Sequence, residues 1–131
     1  MSISPLNSLR VVDLSRVLAG PLCTMMLGDL GAQVIKVERP GTGDDTRGWG
    51  PPFADDGQSA YFRSVNRNKH SAALDLTNAN DQTLICQLAA HADEIWVDPL
   101  GGVAIRGPGG QTLYYAGLIE KLTPRSALIA P

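Results

Sequence analysis

Residues 9–37 constrain the fold more than any other stretch of this chain. Leu9-Arg10-Val11-Val12-Asp13-Leu14 is a short run rich in Val and Leu, which suits a buried strand. After Ser15 to Gly20, Pro21 opens a helical stretch through Leu22, Met25, Met26 and Leu30. Proline is tolerated in a first helical turn, because its missing N–H would be unpaired there anyway. Gly31 reads as a left-handed cap that ends the helix. Gln33-Val34-Ile35-Lys36-Val37 then reads as a second strand. Strand, short helix and strand make a βαβ unit, which predicts a right-handed crossover and a parallel sheet.

The rest of the chain continues the alternation. Glu38 to Ser59 reads as loop, because its glycines and prolines leave no apolar period. A loop of that length in a compact domain is functional or disordered, and Trp49 and Phe53 within it argue for docking against something. A short helix is expected over Ala60 to Asn66 and a third strand over Ser71 to Leu76. Asn78 suits the cap of a helix running to about Ala90, with Leu84, Ile85, Leu88 and Ala89 as its apolar face. Glu94 to Val97 is a fourth strand, and a glycine-rich loop follows. A helix over about Thr112 to Leu122 and a strand at residues 126–129 complete the expectation. The fold class is α/β, a Rossmann-like parallel sheet with flanking helices.

At 131 residues the chain is sized for one domain, residues 1–131, with a buried core. A net charge of −2 gives no electrostatic reason to expect nucleic acid or an anionic membrane as partner. Cys23 and Cys86 sit among apolar residues and read as buried thiols, and neither has a Cys or His at metal-ligand spacing. The start has no basic-then-apolar leader and no apolar run approaches a membrane span. These features point to the cytoplasm.

In open parallel sheets, ligands bind beyond the carboxyl ends of the strands, near helix amino-termini. The first turn, Ser15 to Pro21, offers free N–H groups and a glycine at Gly20, so it is either an anion site or a turn chosen for packing. In the second turn, Glu38 to Arg47, two arginines among glycines are set either to grip phosphate or to form a solvated loop in which Asp44 and Asp45 pair with Arg47. Arg63, Arg67, Lys69 and His70 form a further basic cluster, which as a rule is a solvated face. His70 and His91, the only histidines, have no partner placed for a catalytic triad.

The stretch Arg16 to Phe53, RVLAGPLCTMMLGDLGAQVIKVERPGTGDDTRGWGPPF, resembles the opening of the class III CoA-transferases. That family includes formyl-CoA transferase, carnitine CoA-transferase and the α-methylacyl-CoA racemases. NRNKHSAALDLT, Asn66 to Thr77, and the HADEI stretch containing Ala92 and Asp93 are similar to its next signatures. GDDTRGWGPPF has the flavour of the succinyl-CoA:dicarboxylate branch.

The resemblance implies a coenzyme A-binding large domain, of which this chain is the amino-terminal part. It implies that Leu18 and Ala19 line the coenzyme A site at the first turn and that Arg39 meets a phosphate. Leu74, Asp75, Leu76 and Thr77 would flank the adenosine end. Asp98 stands where the family usually has an asparagine, and Arg106 matches a further coenzyme A-binding arginine. Coenzyme A or acyl-CoA enters as ligand or substrate, with no separate cofactor.

The family attacks acyl-CoA with an aspartate, through a mixed anhydride and an enzyme-bound thioester. That aspartate is expected downstream of Leu122-Thr123-Pro124-Arg125, beyond Pro131, so the chain alone is expected to lack transfer activity. Three readings remain open: a transferase part completed by another chain, a coenzyme A or acyl-CoA-binding module, and a folded remnant acting only through self-association. Apolar surface and open sheet edges left uncovered predict a homo-oligomer, most simply a dimer.

Overall fold

The computed structural model describes residues 4–97, 105–106, 112–113 and 120–122. The βαβ unit forms as its sequence dictates: strand β1 over Arg10–Leu14, helix α1 over Ala19–Asp29 and strand β2 over Gln33–Glu38. Gly31, at φ 103°, ends α1. Its N–H bonds to Gly28 O at 2.9 Å, and the Ala32 N–H reaches Leu27 O at 3.0 Å. This paired closure satisfies two carbonyls the helix would otherwise leave open.

Helix α2 spans Ala60–Asn66, strand β3 Lys69–Ala73, helix α3 Ala79–Ala90 and strand β4 Glu94–Val97. The Asn78 side chain caps α3, accepting from the N–H groups of Asn80 and Asp81 at 2.9 and 3.3 Å. Short strands follow at β5 (Ile105–Arg106), β6 (Thr112–Leu113) and β7 (Glu120–Leu122). The main sheet has the order β3-β2-β1-β4-β7. Its first four strands are parallel, and β7 pairs antiparallel with β4.

Period-two alternation divides the sheet into two unlike faces. Val12, Leu14, Val37 and Ile95 meet Ile85, Ala89 and Ala92, so α3 covers one face with an apolar core. Val11 and Val34 point the other way, to a smaller cluster with Ala32, Leu9 and Leu27 under α1. Farther along that second face the inward positions are charged.

Several expectations need correction. Residues 112–113 and 120–122 are strand where a helix was expected, and β7 makes the sheet mixed rather than wholly parallel. Strand β3 begins at Lys69 and ends at Ala73, so Leu74 to Leu76 lie in the turn beyond it. Leu84 is 47% exposed and leaves the α3 core to Ile85 and Ala89. Cys23 and Cys86 are half-buried rather than buried. The strand expected at residues 126–129 lies outside the described residues.

The segment after β2 is ordered. Asp44 caps a 3-10 turn at Asp45–Gly48, and Phe53 pairs with Ser59 across a small loop. Trp49 packs on Tyr61 with ring centroids 5.1 Å apart, which answers the docking expectation within the chain itself. Trp49 and Phe53 nonetheless stay about half exposed.

Candidate functional site

The charged inward positions lie at the carboxyl ends of the parallel strands. Asp13 on β1 is opposite Lys36 on β2, which is opposite Ser71 on β3. Asp13 accepts from Thr24 Oγ1 at 2.6 Å, from Lys69 Nζ at 3.0 Å, and from both the N–H and the hydroxyl of Ser15. Lys36 Nζ donates to Ser15 O and pairs with Asp44 Oδ2, each at 2.9 Å. Glu38 is held by both Nε and Nη2 of Arg47 at 2.7 Å, by the Ser71 hydroxyl at 2.8 Å and by the Asp44 N–H at 2.9 Å. Among the described residues no buried side-chain polar atom lacks a partner.

The electrostatics follow from that satisfaction. Burial alone would raise the Glu38 carboxyl, but the Arg47, Asp44 and Ser71 hydrogen bonds together hold it below its ordinary value. Asp44 is likewise held down, by Lys36 and Thr46 against the pull of burial. Burial wins at Lys69, whose ammonium is held below its usual range despite Asp13.

The first turn sits on this layer. Gly20 is buried, and a Cβ there would lie 2.3 Å from both Cβ and Oγ of Ser15. The close approach therefore has a packing cause. Beyond it, α1 begins with no side-chain cap, and Leu18 and Ala19 are exposed at its amino end. In the second turn, Arg39 is exposed and pairs with Asp45, while Arg16 stands 3.7 Å from the same carboxylate. Arg47 pairs with Glu38 rather than with Asp44 and Asp45, and its guanidinium lies 3.8 Å over the Phe62 ring.

The third turn joins the second where the Leu74 N–H bonds to Glu38 O at 2.9 Å. Asp75 accepts from the N–H and hydroxyl of Thr77 at 2.8 and 2.7 Å, which lowers its pKa and leads the chain into α3. Leu18, Ala19, Arg39 and Leu74 to Thr77 thus fall at the carboxyl ends of three adjacent parallel strands. Asp98 lies outside the described residues. Arg106 lies on β5, which pairs with β6 and not with the main sheet.

In the basic cluster around β3, Arg63, Arg67 and Lys69 line one cavity, but each is paired with its own acid. Arg63 pairs with Asp56, Arg67 with Asp29, and Lys69 with Asp13, while His70 is exposed on the opposite sheet face. His91 follows the end of α3, its Nδ1 2.8 Å from Gln87 O. The residues that sequence reasoning missed are Asp13, Lys36, Glu38 and Asp44. A signal existed: single charges of opposite sign interrupt the apolar runs of two neighbouring strands, at Val11-Val12-Asp13-Leu14 and Val34-Ile35-Lys36-Val37.

Comparison with known proteins agrees with this architecture. The family model described as CoA-transferase family III matches residues 6–103. The chain is 58% identical over 92 residues to succinyl-CoA:glutarate CoA-transferase of Mus musculus, covering 70% of this chain and 21% of that one. It is 48% identical over 96 residues to succinate–glutarate CoA-transferase of Agrobacterium fabrum, covering 70% of this chain and 24% of that one. Among solved structures, a CAIB/BAIF family protein from Brucella suis superposes with TM-score 0.65 at 51% identity, over 68% of this chain and 24% of the other. A hypothetical protein from Mycobacterium tuberculosis gives 0.60 at 43%, again over 68% and 24%. The chain therefore spans a fifth to a quarter of the length of these relatives. The family model matches most of the chain and the identities agree with it, so the chain belongs to CoA-transferase family III.

Proposed function

We propose that this chain holds coenzyme A, or the coenzyme A part of an acyl-CoA thioester of a carboxylic acid, at the carboxyl ends of β1, β2 and β3. The carrying observation is the convergence of Leu18, Ala19, Arg39 and Leu74 to Thr77 at three adjacent strand ends. An uncapped helix amino-terminus and a planar guanidinium suit phosphate oxygens. The relatives named above transfer coenzyme A between acids, and by analogy the chain contributes the coenzyme A side of that transfer in the cytoplasm. Asp98 and Arg106 are proposed as further contacts on resemblance alone.

Transfer itself needs a carboxylate free to attack the thioester. Among the described residues at this end of the sheet, Asp13, Glu38 and Asp44 are buried and each engaged by a cation, Asp45 pairs with Arg39, and Asp75 accepts from the N–H and hydroxyl of Thr77. This favours coenzyme A binding by these residues, with the attacking carboxylate lying outside them.

Calorimetry with coenzyme A tests the reading. Arg39→Ala should cost about 1.5–3 kcal/mol of binding, the range for a hydrogen bond to a charged group. Equal affinity in both proteins would remove Arg39 from the site, and no binding to the wild type would reject the proposal.

Self-association is part of the same proposal. Leu22, Met26 and Leu30 recur every fourth position along α1 and its carboxyl cap and are 40–56% exposed. No charge occurs in α1 before Asp29, so this stripe is unusually apolar for a free helix face. A second copy of the chain would cover it most simply about a two-fold axis.

A further inference from the structure

We infer that Asp44 is a positioning residue, whose buried carboxylate locks the first and second turns into one unit for a single ligand. The inference rests on the coenzyme A reading above. Asp44 belongs to the second turn, the one that carries Arg39. Its Oδ2 accepts the Val17 N–H of the first turn at 3.3 Å and pairs with Lys36 Nζ of β2 at 2.9 Å. Its Oδ1 accepts the N–H and hydroxyl of Thr46 at 3.0 and 2.8 Å. Lys36 also donates to Ser15 O, so the pair grips the first turn at two points.

Backbone strain marks where the grip acts. Val17 has φ 68°, in the left-handed region that a β-branched residue rarely enters. Such a conformation persists only when its surroundings hold it, and it tends to occur where geometry serves binding. The Val17 N–H is the group that Asp44 holds, and the next residues are Leu18 and Ala19 at the open end of α1. The Asp44 side chain is fully buried and that of Lys36 is 2% exposed, so solvent screens this link little. Fixing both turns beforehand lowers the ordering cost that a flexible ligand site would meet on binding.

Two readouts test this on the full chain: amide hydrogen exchange over residues 16–20, without ligand, and coenzyme A calorimetry. Asp44→Ala should speed exchange at Val17 to Gly20 at least tenfold, leave β1 unchanged, and weaken coenzyme A at least tenfold. Asp44→Asn, which keeps an acceptor for the Val17 N–H, should recover part of both. The double variant Lys36→Met/Asp44→Ala leaves no unpaired buried charge and repeats the test if the single variant does not fold. The Arg39→Ala penalty should shrink in the double variant, because the guanidinium is no longer held in register. Unchanged exchange overturns the positioning role, as does faster exchange with undiminished affinity. If the wild type itself binds no coenzyme A while exchange still accelerates, the coenzyme A reading fails and the positioning role fails with it.

Discussion

Replacing Arg47 by methionine should be among the most damaging single changes in the described fold. The substitution keeps an unbranched apolar side chain and removes the guanidinium that lies over Phe62. Glu38, 6% exposed, would then lose two hydrogen bonds of 2.7 Å and keep only the Ser71 hydroxyl and the Asp44 N–H. Breaking a buried ion pair from one side costs about 3–5 kcal/mol, because the remaining charge stays buried. The Arg47 side chain is 33% exposed, so water can reach part of the gap and the lower end applies. Loss of the cation over the Phe62 ring adds about 0.5–1 kcal/mol. The expected loss is about 3–4 kcal/mol, or roughly 12–16 °C in melting temperature at about 4 °C per kcal/mol for a chain of this size. Urea titration and thermal melts followed by circular dichroism read it directly. Glu38→Gln combined with Arg47→Met should recover most of the loss, since neither charge is then stranded. A loss below about 1 kcal/mol, the scale of an exposed pair, would refute the argument that this pair is buried and mutually required.

Gly20→Ala should destabilise the fold by about 1–3 kcal/mol in the same melts, because its Cβ would meet Ser15 at 2.3 Å and disturb the Ser15–Asp13 bond. Acid should unfold the protein through Glu38 and Asp44. Their folded pKa values lie below the ordinary 4.5 and 3.8, so their stabilisation is complete above those values and is lost as pH falls below them. A Glu38→Gln variant should flatten that acid limb in pH-dependent urea midpoints. Met26→Glu should convert the expected dimer to monomer by light scattering without lowering the melting temperature of the monomer, since Met26 is 56% exposed.

The local rules that made this fold legible were those with a short-range physical cause. Gly31 announced the end of α1 because only glycine enters φ 103° without strain, and Asn78 announced the start of α3 because its side chain replaces missing helix bonds. The apolar runs at residues 11–14 and 34–37 became neighbouring parallel strands. Residues 112–122 misled because their apolar spacing fits a helix, whereas the pairing that makes Glu120–Leu122 a strand comes from β4, far away in sequence. The site divided in the same way. Spacing put Arg39 and Arg47 in one turn and left open whether they grip phosphate or sit in a solvated loop. The loop reading gave Arg47 the wrong partner because sequence proximity favours Asp44 and Asp45. The fold instead directs its guanidinium back to Glu38.

The unlike faces of the sheet suggest what the buried charges do. The α3 face, with Val12, Leu14, Val37 and Ile95, shows that these strands can carry an apolar core. On the α1 face the corresponding positions are Asp13, Lys36 and Glu38, fully hydrogen-bonded but taken out of water. Buried ion pairs seldom stabilise a fold more than well-packed apolar groups of the same size, so stability alone does not account for them. Besides bonds to Thr24, Lys69 and Ser71, each is tied to one or both of the turns that flank the strand ends. Asp13 and Lys36 are tied to Ser15, Lys36 also to Asp44, and Glu38 to Arg47 and the Asp44 N–H. An apolar layer would pack beneath those turns without fixing their hydrogen-bonding groups. A directional polar layer holds each turn at defined atoms, and that is the requirement of a site whose ligand spans both.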